Sequence, residues 1–258
     1  MSTQKEKAEL FGALHQKGNP LILFNVWDAG SAKAVEEAGA RAVATGSWSV
    51  AAANGFADGE SLPIEIVLAN AERIVKSVGL PVTIDFEGGY AADVEPLQRN
   101  IERVIASGAV GINFEDQIVG GDELYAIDAQ ARRIAAIRET AERAGIPFFI
   151  NARTDVFLKN YAAHDPTHVA EAVARSRAYA AAGASGLFAP GLRNPAFIKE
   201  LCESAALPVN IMVLPETPSN AELAALGVAR ISYGPAPYRE MIESLKMSAR
   251  QAFSASSA

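Results

Sequence analysis

A repeating unit constrains this chain more than any single residue does. Short apolar, β-branched runs at 21–26, 41–45, 82–86, 110–114, 147–151, 186–189, 209–213 and 229–233 alternate with longer Ala-, Glu- and Arg-rich stretches of helical spacing. Most runs are entered through a tight turn: Gly39-Ala40, Gly79-Leu80-Pro81, Gly108-Ala109, Gly145-Ile146-Pro147, Gly183-Ala184, Leu207-Pro208 or Gly227-Val228. A glycine there leaves the preceding helix through a left-handed cap, and a proline then suits the entry to a strand. Strand, helix and strand in succession call for parallel pairing with helical crossovers. Eight such units in 258 residues fit a closed (β/α)8 barrel, one domain over 1–258, better than an open doubly wound sheet. Helices are expected at 4–17, 31–37, 63–78, 94–107, 129–144, 167–182, 194–204, 219–226 and 235–253. The last five residues read as a frayed tail.

Composition narrows the function classes. Hydrophobic residues make up 50% and charged residues 21%, enough for a sizeable core and against wholesale disorder. The net charge is −7 and no basic run is present, which argues against nucleic acid or an anionic membrane surface as partner. An anionic ligand would then need a local cation, an arginine or a metal. The single cysteine, Cys202, excludes an intramolecular disulfide framework and a cysteine-based zinc site, and reads as a structural thiol. The polar start MSTQKEKAEL and the lack of a membrane-length apolar run suggest neither signal peptide nor transmembrane helix, hence a soluble cytoplasmic protein.

In barrels of this kind the active site lies at the C-terminal ends of the strands. Those ends read Asn25-Val26-Trp27-Asp28, Thr45-Gly46-Ser47-Trp48, Asp85-Phe86-Glu87-Gly88-Gly89-Tyr90, Asn113-Phe114-Glu115-Asp116 and Asn151-Ala152-Arg153-Thr154-Asp155 for the first five units. The last three end in Ala189-Pro190-Gly191, Met212-Val213 and Tyr233-Gly234-Pro235. Polar groups thus concentrate on one rim. Asp85 and Glu87, two apart on one strand, should point the same way, and Glu115 comes from the next strand. Three acids without histidine or thiol suit a hard cation, Mg²⁺ or Mn²⁺; otherwise they are helix caps or rim ion pairs. Arg153 is placed either to grip a carboxylate, phosphonate or phosphate, or to pair with Asp155 or Glu115. Asp28 could orient a ligand or cap the following helix. Gly46 and Ser47 offer backbone N–H groups and a hydroxyl. Gly88-Gly89 reads as a turn, and His15, His164 and His168 as surface or helix-flanking residues.

The stretches FNVWDAGSAKAVEEAGARAVATGSWSVA, the ADG around Asp58, VTIDFEGGY, AVGINFEDQ, INARTD and LFAPG resemble the isocitrate lyase/phosphoenolpyruvate mutase superfamily, nearest to its phosphonomutase-like branch. The resemblance implies a (β/α)8 barrel, often with a C-terminal helix swapped between subunits of a homodimer or homotetramer. It implies Mg²⁺ and a 2-oxo acid or its enolate. Asp85 would be the principal metal ligand, with Glu87 and Glu115 holding the metal mostly through water. Asp58 would lie near the reacting centre, Arg153 would bind a carboxylate or phosphonate, and Thr45, Gly46 and Ser47 would cradle the pyruvyl carboxylate, with Trp27 and Asn151 also at the substrate. The lid expected at 117–125 has no Cys, Lys, Arg or His, unlike the lyase members, and Ala189-Pro190 stands near the place of the mutases' histidine. Tyr125, Asp122 and Glu123 are then the lid's only proton carriers. These residues point to a Mg²⁺-dependent C–C lyase, decarboxylase or P–C bond enzyme acting on a small 2-oxo acid. A non-catalytic 2-oxo-acid binder that has lost its lid acid or base is the rival.

Overall fold

A computed structural model describes residues 2–159, 161 and 163–255. Helix α1 (Gln4–Ala13) precedes strand β1 (Leu21–Leu23). Then follow α2 (Ala29–Glu37), β2 (Val43–Ala44), α3 (Ser47–Ala53), α4 (Ile64–Ser77), β3 (Val82–Asp85), α5 (Val94–Ala106), β4 (Gly111–Glu115) and α6 (Ile127–Arg143). The second half continues with β5 (Phe149–Arg153), α7 (Val156–Lys159), α8 (Pro166–Ala181), β6 (Gly186–Phe188), α9 (Pro195–Ser204), β7 (Val209–Met212), α10 (Asn220–Ala225), β8 (Arg230–Ser232) and α11 (Ala236–Ala255). All eight strands pair in parallel in the order β1-β8-β7-β6-β5-β4-β3-β2, and a parallel bridge between Val26 and Thr45 joins the two ends of that order. The sheet is a (β/α)8 barrel, as its alternation requires.

The barrel's shell is apolar and its interior is layered. α5 is representative of the outer ring: Leu97, Ile101, Val104 and Ile105 recur at helical spacing and are all buried against neighbouring elements. At the N-terminal end, Phe11 and Leu14 close the barrel against Leu21, Leu23, Ala44, Val110 and Phe149. Above this plug the inward side chains become polar: Thr83, Asn113, Asn151, Asn210, Arg230 and Ser232 are all buried. That polar layer is the platform on which the rim residues stand.

Several local expectations change. α1 stops at Ala13, short of residue 17, and two short helices, α3 and α7, follow directly on strand ends without an apolar period long enough to announce them. β3 ends at Asp85, so Glu87 does not share its strand; it sits in a turn with φ of 50°, and its side chain leaves in a direction the strand alternation does not give. His15 is no surface residue: its ring stacks on Phe149 with centroids 4.0 Å apart beneath the barrel. Part of the expected tail is helical, since α11 runs to Ala255; residues 256–258 lie outside the described ones. Among the described residues no helix is long and apolar enough to cross a membrane.

Candidate active site

The polar rim encloses a cavity of about 180 Å³ lined by Gly46, Ser47, Trp48, Asp58, Asp85, Asn113 and Arg153, with Leu158, Phe188, Pro190 and Met212 among the remaining wall. Each polar side chain is held by identifiable partners. Asp85, the last residue of β3, accepts hydrogen bonds on Oδ2 from the Ser47 backbone N–H (3.1 Å) and hydroxyl (2.8 Å). Its own N–H donates to Thr45 Oγ1 at 3.0 Å. Beneath it, Asn113 accepts on Oδ1 from Arg230 Nη2 (3.0 Å) and Asn151 Nδ2 (2.9 Å), which turns its amide N–H toward Asp85 Oδ1 at 3.3 Å. A carbonyl that already accepts two donors fixes the orientation of its amide. The chain from Arg230 through Asn113 to Asp85 was not legible from the sequence, because its members come from strands far apart in the chain.

The other acids crowd behind Asp85. Glu87 is buried, accepts from the Glu60 N–H at 2.7 Å, and lies 3.4 Å from the Tyr90 hydroxyl that donates to it. Burial pushes its carboxyl up to about 7, against the Glu60 N–H bond and with help from Asp85 and Asp58. Burial and then Asp85 raise Asp58 on the cavity wall. Glu115 is also raised, by burial first and by Asp155, Asp85 and Glu87, in spite of the Arg153 guanidinium 2.8 Å away. Arg153 meets both partners foreseen for a rim ion pair. Its Nε and Nη2 donate to Asp155 at 2.7 and 3.0 Å, and its Nη1 pairs with Glu115. Burial opposes its charge, but Asp155 and Glu115 more than offset that and hold it protonated. With five N–H groups on a guanidinium, these contacts leave one N–H on each Nη for a ligand.

The donors here are all oxygens, and acids that raise one another's pKa around a cavity are a site short of positive charge. Both properties fit Mg²⁺ or Mn²⁺. Among the described residues, no three acidic, histidine or cysteine side chains are gathered closely enough to hold a metal ion between them. An ion here would therefore be bound through one or two carboxylates and water.

The remaining expected residues fall in different places. Gly46 and Ser47 line the cavity, but the Gly46 N–H donates to Val26 O and the Ser47 N–H to Asp85, so these backbone groups order the rim. Thr45 serves Asp85, and Asn151 lies one layer down, fully buried under Asn113. Trp27 is not on the cavity wall; it packs edge-on against Tyr238, as does Trp48, which is. Asp28 caps α2, accepting from the Ser31 N–H at 2.7 Å. Tyr125 faces a neighbouring cavity of about 300 Å³, with the Arg133 guanidinium 4.3 Å from its ring centroid. Arg133, buried in α6, donates to Gly88 O (2.6 Å) and Ala91 O (2.9 Å) and so anchors the loop that carries Glu87. Cys202 is buried, and burial pushes its thiol up to about 11, which leaves it inert.

Residues 11–253 match the family model described as phosphoenolpyruvate phosphomutase. An uncharacterized protein of Mycobacterium tuberculosis is 31% identical over 229 residues, 88% of this chain and 83% of its own. The 2-methylisocitrate lyase of Escherichia coli K12 is 27% identical over 241 residues, 90% of this chain and 79% of its own. Among solved structures, a candidate phosphonomutase from Burkholderia cenocepacia J2315 is 52% identical and superposes with a TM-score of 0.93, covering 96% of this chain and 99% of that one.

Proposed function

The chain belongs to the phosphoenolpyruvate phosphomutase family, within the isocitrate lyase superfamily of lyases and mutases, and from that premise we propose that it is a Mg²⁺-dependent enzyme acting on a small 2-oxo acid through an enolate. The bond broken or moved is C–C, or P–C in a phosphonate. One observation carries this reading. Asp58 and Asp85 line a cavity whose wall also presents Arg153, and the buried Glu87 and Glu115 lie behind Asp85 within its electrostatic reach. Such a site is completed by a cation and a substrate with oxygens to share.

Asp85 would be the direct ligand, because its carboxylate reaches the cavity and is aimed by Ser47 and Asn113. Glu87 and Glu115, set behind it, would hold the ion through water; Mn²⁺ would use the same donors. When bound, the ion supplies Lewis-acid stabilisation of the developing enolate oxygen. Arg153 holds the substrate's acidic group with its two remaining N–H groups, pinned in plane by Asp155. Ser47 donates to Asp85 and can equally donate to a substrate carboxylate in the cavity they share. Asp58 is the proton carrier already on the cavity wall. Tyr125 can take that role only if the 117–125 segment leaves Arg133.

The test is a turnover screen with Mg²⁺, with and without chelator, following pyruvate, phosphate and CO₂ release from 2-oxo acids, alkylmalates and phosphonopyruvate. One substrate should turn over and chelator should stop it. Asp85→Ala, its fold checked by circular dichroism, should lose at least about a hundredfold in rate. Turnover that survives chelator or the substitution sinks the metal role. Binding without turnover returns the non-catalytic reading.

A further inference from the structure

Two neighbouring segments that carry acids of the site are held very differently. The loop 86–91, which bears Glu87, is gripped from outside. Arg133 takes the Gly88 and Ala91 carbonyls, and Asn100 Nδ2 donates to the Gly89 and Tyr90 carbonyls at 3.0 and 3.2 Å. The segment 57–61, which bears Asp58, lies between α3 and α4 and has no such frame. Among the described residues it makes no backbone-to-backbone hydrogen bond. Glu60 joins it to the loop. The Glu60 N–H donates to Glu87 Oε2 at 2.7 Å, and Glu60 Oε1 accepts from the Tyr90 N–H at 2.7 Å; the Gly88 N–H is bonded to the same carboxylate.

This clasp is strained. Glu60, Glu87 and Tyr90 all have left-handed backbone, with φ of 56°, 50° and 56°, and among the described residues Glu216 is the one other non-glycine there. Such backbone is unfavourable for a residue with a Cβ and persists only where surrounding contacts impose it. Each of the three is a donor or an acceptor in the clasp. At Gly88 a Cβ would lie 3.1 Å from Glu60 Oε1 and 2.7 Å from Val119 Cγ2, so the carboxylate and the 117–125 segment both close on bare backbone. A surface loop has no need of three strained residues. What they secure here is where Asp58 stands relative to Asp85 and Glu87.

Resting on the metal and proton-carrier roles proposed above, we infer that Glu60 is a positioning residue of the reaction: it fastens the segment bearing Asp58 to the loop bearing Glu87, so that the proton carrier and the outer metal carboxylate keep one fixed relation. Glu60 itself lies off the wall of the main cavity and acts through these neighbours.

Two substitutions in the full chain test it, on the substrate that the turnover screen identifies and with Mg²⁺ alone as the binding probe. Glu60→Ala removes the acceptor of the Tyr90 and Gly88 N–H groups and leaves Arg153, Ser47 and Asp85 untouched. It should lower kcat about tenfold or more, keep KM within about twofold, and weaken Mg²⁺ binding in calorimetry. Glu60→Gln keeps an amide oxygen in the acceptor's place and should restore most of both losses. A merely structural contact would lower the urea midpoint and leave kcat and Mg²⁺ binding where they were. That result overturns the inference, as does a Gln variant as slow as the Ala one, and both leave the reading of the site intact. If the unsubstituted chain binds Mg²⁺ without turnover, the Mg²⁺ titrations of the two variants decide. If it neither binds Mg²⁺ nor turns over any substrate, the reading falls and the inference with it.

Discussion

Arg230 is the residue whose position is hardest to explain by stability. It is fully buried inside the barrel, and its Nε and Nη1 have no hydrogen-bond partner. Burial lowers its pKa to about 9, with Asp85 the main influence in the other direction. A buried guanidinium with unused donors costs stability, so its retention points to the Asn113–Asp85 chain above it. Arg230→Met should leave the urea midpoint unchanged or raised, while Asn113 becomes free to turn and Mg²⁺ affinity, read by calorimetry, falls about tenfold. A loss of more than about 2 kcal/mol in unfolding free energy would make Arg230 a structural residue instead. His15, close by, makes a separate prediction. Burial, and then Arg230, lower its pKa from 6.5 to about 3. The unfolded chain takes up this proton near pH 6.5 and the folded chain only near pH 3. The contribution is therefore whole above 6.5 and is lost as pH falls toward 3. His15→Phe should flatten the decline of urea stability across that window, and an unchanged slope refutes it. Neither residue was legible as special in the sequence, because the barrel interior is assembled from eight strands far apart in the chain.

At the scale of elements, legibility follows punctuation. The strands lie within a few residues of their expected places because a glycine or proline turn marks most of their starts. The acids did not follow the same rule. Asp85 sits on β3, where alternation fixes its direction, but Glu87 and Tyr90 have φ of 50° and 56°, and no period describes a left-handed turn. Arg133, from α6, then holds that loop by two carbonyls, a contact that no local pattern encodes. Strand packing has its own hidden constraint at Gly111 on β4. A Cβ there would lie 2.6 Å from the Phe149 carbonyl oxygen and 2.9 Å from the Phe149 Cβ on the neighbouring strand. Since both belong to a paired, buried strand, neither can move far. Gly111→Ala should cost about 3 kcal/mol in denaturant unfolding. A loss under about 1 kcal/mol would mean that β4 and β5 can separate locally more easily than their pairing implies.

For the whole molecule, the C-terminal helix and the outer face of β1 pose matching problems. From Glu243 to Ser254 nearly every residue of α11 is exposed, with Leu245, Met247 and Phe253 at 60%, 61% and 74%. Ile22 on β1 and Phe24 just after it are both more than 40% exposed, beside a groove of about 440 Å³ that also takes in Val35 and Ala38. In a (β/α)8 barrel the last helix covers this face. Here the start of α11 is tied to the rim instead, through Tyr238 against Trp27 and Trp48, and the rest of the helix runs away from the body. We propose that a second copy supplies the missing cover, each α11 lying on the β1 face of its partner. Such an exchange is self-complementary and closes as a dimer, the unit from which a tetramer can be built. Sedimentation should find the full chain dimeric or larger. Removing residues 240–258, which spares Tyr238 and Arg239, should yield a monomer that unfolds at lower denaturant, and Phe24→Asp should weaken association without touching the helix. If the truncated chain still associates, contacts elsewhere hold the copies together. If the full chain is monomeric, α11 must fold back onto its own β1 in solution.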